Sequence, residues 1–344
     1  TVFQVLRVQH HSVIQSFSHS IIPMQPSIKH PNLLSVLILA GILLLAVGYG
    51  IATWRGKPNK RSFDPDPTYQ GAYNLGRPGV IYTLPGDLEE ISGLAARTND
   101  EILCVQDEDG VLFVYSMERQ EIIHEIKFGK DRDYEGVARI GDTVYVLEKD
   151  GDIHHFTYDT TVDEVDSDKW ETPFSYRNDT EGFCYAPVRN QLLIAPKEQG
   201  LDPSGDPEVR GIYAFDLEDQ EMRPNPVFRV NQKELGEIIY GRPDSYLFKP
   251  SAIAVEPSTG NLFLLASVGR ILIILNRESK ILHVELLDRK TFRQPEGITF
   301  TEAGDLLISS EADGRHAVLA RYSVDLPTDN TSAPAPDPQT TDNE

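Results

Sequence analysis

The chain has 344 residues, enough for one large domain or two small ones, with 32 Lys and Arg against 53 Asp and Glu. Residues 1–61 carry six bases and no acid, which leaves 26 bases against 53 acids in the remainder, a net of about −27. Without a basic stripe to neutralise phosphates, nucleic acid is not an expected partner.

Residues 1–32 form an N-terminal segment in which Met24 makes a natural start, so 1–23 read as translated upstream sequence. Residues 33–54 are an uncharged run of 22 that reaches about 33 Å as a helix, enough for a hydrocarbon core of roughly 30 Å. One transmembrane helix is expected there. Arg55, Lys57, Lys60 and Arg61 follow it and only Arg7 and Lys29 precede it, so the positive-inside rule alone favours a cytoplasmic C-terminal domain. Residues 55–78, rich in Pro, Gly and charge, read as a stalk or linker, and 324–344 as a disordered tail.

Between them, residues 79–323 repeat one phrase five times: a polar residue, then Gly or Ala, then alternating apolar residues. The polar positions are Ser92, Glu135, Glu181, Ser251 and Glu296, separated by 43, 46, 70 and 45 residues. Each copy opens a run of short strands separated by turn residues, as in 136–139, 143–147, 153–157 and 170–174 of the second copy. The expected fold is all-β, a single β-propeller of four-stranded blades. Five blades are counted, or six if the long third repeat hides a degenerate one. That repeat holds a Pro, Gly and Asp-rich loop at 200–210 and a helix around 231–240. The fifth copy lacks an outer strand, and residues 80–84, spare ahead of the first copy, are expected to supply it and close the ring.

A second set, ionisable in four of five copies, stands three residues before a turn glycine: Asp107, Glu148, Lys197, Ala266 and Glu311. With the first set it should gather at one end of the channel. Ser92, Glu135, Glu181, Lys197, Ser251 and Glu296 are therefore the expected ligand-binding residues. Glu135, Glu181, Glu296, Asp107, Glu148 and Glu311 are the expected metal ligands. Clustered carboxylates repel one another, and either pairing with Lys197 or a Ca2+ on the axis would relieve them. The plainer alternative is a polar, water-filled channel whose residues only tie the blades together. Asp107-Glu108-Asp109-Gly110 matches part of a calcium loop but lacks its closing glutamate, so it reads as a solvated turn. Cys104 and Cys184 read as small buried hydrophobes, and His154 and His155 must face opposite sides of a strand.

The phrases Leu88-Glu89-Glu90-Ile91-Ser92-Gly93-Leu94-Ala95, Tyr134-Glu135-Gly136-Val137-Ala138 and Gln294-Pro295-Glu296-Gly297-Ile298 resemble the SdiA-regulated family of bacterial β-propellers. That family is similar to the wider NHL-like and phytase-like group. The resemblance implies a propeller held outside the cytoplasmic membrane by an N-terminal anchor, against the basic cluster after the span, and it implies no reaction. The expected function is a membrane-tethered, periplasmic module binding a small ligand or protein partner at an acidic channel mouth with Ca2+. The alternative is a metal-dependent hydrolase, phosphoesterase or lactonase-like, using the same acids.

Overall fold

The computed structural model describes residues 60–324 apart from residue 203. The expectations for 1–32, for the membrane span at 33–54 and for the tail beyond residue 324 lie outside the described residues. Among the described residues no helix is long and apolar enough to cross a membrane.

Five antiparallel sheets form five blades in chain order. Blade 1 is Ile91–Ala96, Glu101–Gln106, Val111–Ser116 and Glu121–Lys127; blade 2 is Tyr134–Ile140, Thr143–Glu148, Ile153–Thr157 and Asp168–Trp170. Blade 3 is Thr180–Ala186, Gln191–Pro196 and Val209–Asp216, with an outer edge in two pieces, Glu221–Met222 and Phe228–Asn231. Blade 4 is Ala252–Val255, Leu262–Ala266, Ile271–Leu275 and Ile281–Leu286. Blade 5 is Gln294–Phe300, Leu306–Glu311 and Val318–Tyr322, completed by Val80–Thr83, which pairs with Val318–Tyr322 and closes the ring. The first strands of successive blades contact one another, and that of blade 5 contacts that of blade 1.

Each sheet has neighbours on both faces, which is why its middle strands are continuous apolar runs rather than alternating ones. The core is accordingly five layers, one per blade interface: Phe113 and Leu319 between blades 1 and 5, Val105 and Val144 between 1 and 2, Phe183 and Phe215 between 2 and 3, Ile212 and Ile273 between 3 and 4, Phe263 and Ile308 between 4 and 5.

Three details differ from the sequence reading. The fourth strand of blade 2 is Asp168–Trp170 rather than 170–174, because Trp170 packs tilted on His155 and stacks on Phe215 of blade 3 while the chain then turns over Gly151. The long third repeat is one blade, its edge broken where Pro224 and Pro226 offer no N–H. Its extra length includes helix Gln232–Tyr240, capped by the Asn231 side chain and ended by Gly241 in the left-handed region, with Leu235 and Ile239 buried against blades 3 and 4.

Third, residues 60–78 are not a free stalk. Ser62–Phe63 adds a fifth strand to blade 4 through Glu285 and Val284. Asp64 and Asp66 hold His283 and Lys280 at 2.6 Å, and Tyr69, Tyr73 and Leu75 pack on the layer between blades 4 and 5. The segment is a strap. Cys104 and Cys184 are free, and burial pushes both thiols above their usual range.

Candidate functional site

The repeated polar residue is the extra residue of a β-bulge. In blade 2, Tyr134 pairs with Glu148 and Gly136 with Leu147, so Glu135 has no partner across the ladder. Ser92, Glu181 and Glu296 fall at the same break, while Ser251 stands just ahead of its strand, with its N–H donating to Leu265 O. A bulge re-aims the side chain it inserts. The following glycine serves blade packing: a Cβ on Gly93 would lie 2.8 Å from Gly136 Cα, one on Gly136 2.5 Å from Phe183 Cβ, and one on Gly297 2.7 Å from Leu94 Cγ. Only a missing side chain lets the inner strands come so close around the axis.

Strand register also fixes the second ring. The residue just beyond the bulge's partner is Asp107, Lys149, Lys197, Ser267 and Glu311 in the five blades. Asp107, Lys197 and Glu311 hold their expected places; Glu148 and Ala266 do not. Glu148 is turned into blade 2, bonded to His154 Nε2 at 2.7 Å and near Arg132, and Lys149 takes its place at the axis. Ser267 replaces Ala266 and lies near Glu296, where it favours the charged carboxylate. His155 faces the other side of its strand, against Trp170.

The two serines fasten blades. Ser92 Oγ donates to Tyr134 O of the next blade at 2.6 Å, and Ser251 Oγ to Pro295 O of the next at 2.7 Å. The charged members form the site. Lys197 Nζ meets Glu181 Oε1 at 2.5 Å, while Lys149 Nζ stands 3.5 Å from Asp179, 3.6 Å from Glu135 and 3.8 Å from Asp133. Asp179 was not singled out in the sequence; it precedes Glu181 by two residues, as Asp133 precedes Glu135. Glu135, Asp179 and Glu181 each place a carboxylate oxygen within 4.8 Å of the others'. Glu181 is 5% exposed, and its second oxygen has no hydrogen-bond partner. Between Ser92, Glu135, Glu181 and Glu296 lies a cavity of about 10 Å3, room for one water-sized body. The far end of the channel opens into about 290 Å3 among Leu94, Val137, Ile298 and Phe300.

Burial, with Glu296 and Asp179 adding and Lys149 opposing, pushes Glu135 up to about 7. Burial, then Glu296 and Asp107, pushes Glu311 up to about 8. Glu181 and Glu296 are raised chiefly by burial, Glu181 also by Glu296 and Glu135. Two lysines thus leave the mouth with an excess of buried acid. Glu135, Glu296 and Glu311 keep their protons in the folded chain at pH values where the unfolded chain has lost them. The stability they contribute is complete below about 4.5 and is lost as pH rises through 7 to 8. The melting temperature in metal-free buffer is therefore expected to fall between pH 6 and pH 8.5, and less so in Glu135→Gln; scanning calorimetry against pH measures it.

Fold and site together define a five-bladed propeller with an acidic, lysine-braced axial mouth. The chain belongs to the SdiA-regulated family, whose model matches residues 82–314. No curated protein matches it. Similar solved structures include the glutaminyl cyclase of Myxococcus xanthus, 13% identical with a TM-score of 0.48 over 72% of this chain and 96% of that one. Another is the virginiamycin B lyase of Staphylococcus aureus, 11% identical with a TM-score of 0.38 over 72% and 74%. Neither bears on the activity of this chain.

Proposed function

We propose that this chain is a membrane-anchored binding propeller, displayed on the periplasmic side, whose axial mouth takes Ca2+ and with it a small ligand or protein partner. The unpartnered, buried oxygen of Glu181 carries the reading: it is an acceptor with no donor, beside two more carboxylates. Ca2+ binds oxygen at about 2.3–2.6 Å, so its ligands stand up to about 5 Å apart, and Glu135, Asp179 and Glu181, whose oxygens lie within 4.8 Å of one another, are close enough to share one ion. Lys197 can keep Glu181 Oε1 while Oε2 turns to the ion. The Lys149 ammonium makes no ion pair shorter than 3.5 Å and its side chain is 34% exposed, so it can swing aside.

The anchor rests on the apolar run 33–54 and the periplasmic side on the family resemblance. An alkaline phosphatase fusion at the C-terminus checks the side: activity is expected, and its absence would put the propeller in the cytoplasm.

With Ca2+ a hundredfold above its dissociation constant, the purified full-length chain in detergent should gain about 2.7 kcal/mol, or roughly 5 °C in melting temperature. The Glu135→Gln/Glu181→Gln double variant should gain nothing. An unchanged response in that variant would rule out this site. One observation favours a hydrolase instead: Glu135 and Glu311, held near 7 and 8, are in the range of general acid–base groups. Turnover of phosphoesters or lactones that disappears in Glu181→Gln would select that reading.

A further inference from the structure

A second site lies away from the axis, under the strap. Strap and blade 4 line an open pocket of about 670 Å3, within the range of small-molecule pockets. Its floor carries His283 and Glu285, alternate residues of strand Ile281–Leu286 and so on one face of it. Its walls include Asp64, Tyr69 and Tyr73 of the strap.

Glu285 is 3% exposed, and among the described residues its carboxylate makes no hydrogen bond, only a 3.6 Å ion pair with His283 Nε2. His283 Nε2 is itself buried and unpartnered. The ring cannot turn to relieve this, because Nδ1 is tied to Asp64 Oδ1 at 2.6 Å. One buried polar atom, His283 Nε2, thus faces the pocket without a hydrogen-bond partner, and it meets Glu285 only as a 3.6 Å ion pair, too long for a direct hydrogen bond. Burial alone would lower the pKa of His283, but Glu285 and Asp64 outweigh it and favour the charged ring. With His283, Lys60 and Arg61 set against Asp64 and Glu285, neither sign of charge dominates the pocket.

We infer that this pocket takes a neutral, hydroxyl-bearing ligand, a saccharide unit. A single hydroxyl oxygen about 2.8 Å from each group accepts from His283 and donates to Glu285, since their 3.6 Å separation is less than twice that length. Tyr69 and Tyr73 offer fixed rings to the C–H face of a sugar: the Tyr73 hydroxyl is pinned to Gly304 O at 2.7 Å, and the Tyr69 ring lies 6.2 Å from that of His283. An amine would satisfy Glu285 but bring a positive charge beside His283.

The test is an immobilised glycan array probed with the labelled full-length chain and with Glu285→Leu and Tyr69→Leu, both of which fill their space with apolar atoms. Retention on a defined glycan, weakened at least tenfold in both variants, is the expected result. No retained glycan, or retention unchanged in both variants, would overturn the inference. So would a melting-temperature rise with spermidine that Glu285→Leu abolishes, since that would make the pocket an amine site.

Discussion

Lys197→Met is expected to destabilise the chain by about 3–5 kcal/mol near pH 8, the cost of removing one partner from a buried ion pair. Glu181 would then stand among Glu135 and Glu296 with only Lys149 nearby. The loss should shrink towards pH 5.5. Without Lys197 the folded pKa of Glu181 moves further above its unfolded value. The group then folds protonated at low pH, and its stabilisation disappears as pH rises through the folded value. Lys197→Met/Glu181→Gln should recover most of the stability, because a neutral amide needs no counter-charge. Urea unfolding at the two pH values measures this. An equal deficit at both, with no recovery in the double variant, would mean that Lys197 supports packing rather than charge.

Gly136→Ala is the second large effect, with an expected loss of about 2–3 kcal/mol. The backbone at Gly136 is not in the left-handed region, so alanine suits it conformationally and the cost is steric. The new methyl would lie 2.5 Å from Phe183 Cβ, which is fixed to the inner strand of blade 3 and cannot rotate away. Gly141→Ala is the contrast: it sits at φ 60° with nothing within 4 Å of the added carbon, so its cost is backbone strain alone. A fall of roughly 2–4 °C per kcal/mol in melting temperature separates the two.

The blades and the first polar ring were legible because a bulge leaves a signature: one polar residue and a glycine where alternation should continue. The second ring was half legible. Counting back from turn glycines assumes equal hairpins, yet Gly151 closes a tight turn on Glu148 while the blade 4 turn runs from Ser267 to Arg270. The count therefore landed one residue early in both blades, on Glu148 for Lys149 and on Ala266 for Ser267. Counting from the phrase through the strand pairing would have found both. Asp179 was within reach too, two residues ahead of Glu181. The strap was not. Its composition is that of a linker, and what orders it is contact with distant residues, such as Asp64 with His283, 219 positions apart. No local pattern encodes that contact.

The central claim is that raised carboxyls at the axis give up protons to bind a cation. Calorimetric titration of the full-length chain with CaCl2 near pH 7.5, in two buffers of different ionisation enthalpy, measures affinity and proton release together. One saturable site is predicted, releasing about one proton per ion and lost in Glu181→Gln, because carboxylate ligands must be deprotonated to coordinate. Binding that releases no proton and survives Glu181→Gln would contradict the account, as would no saturable binding at all.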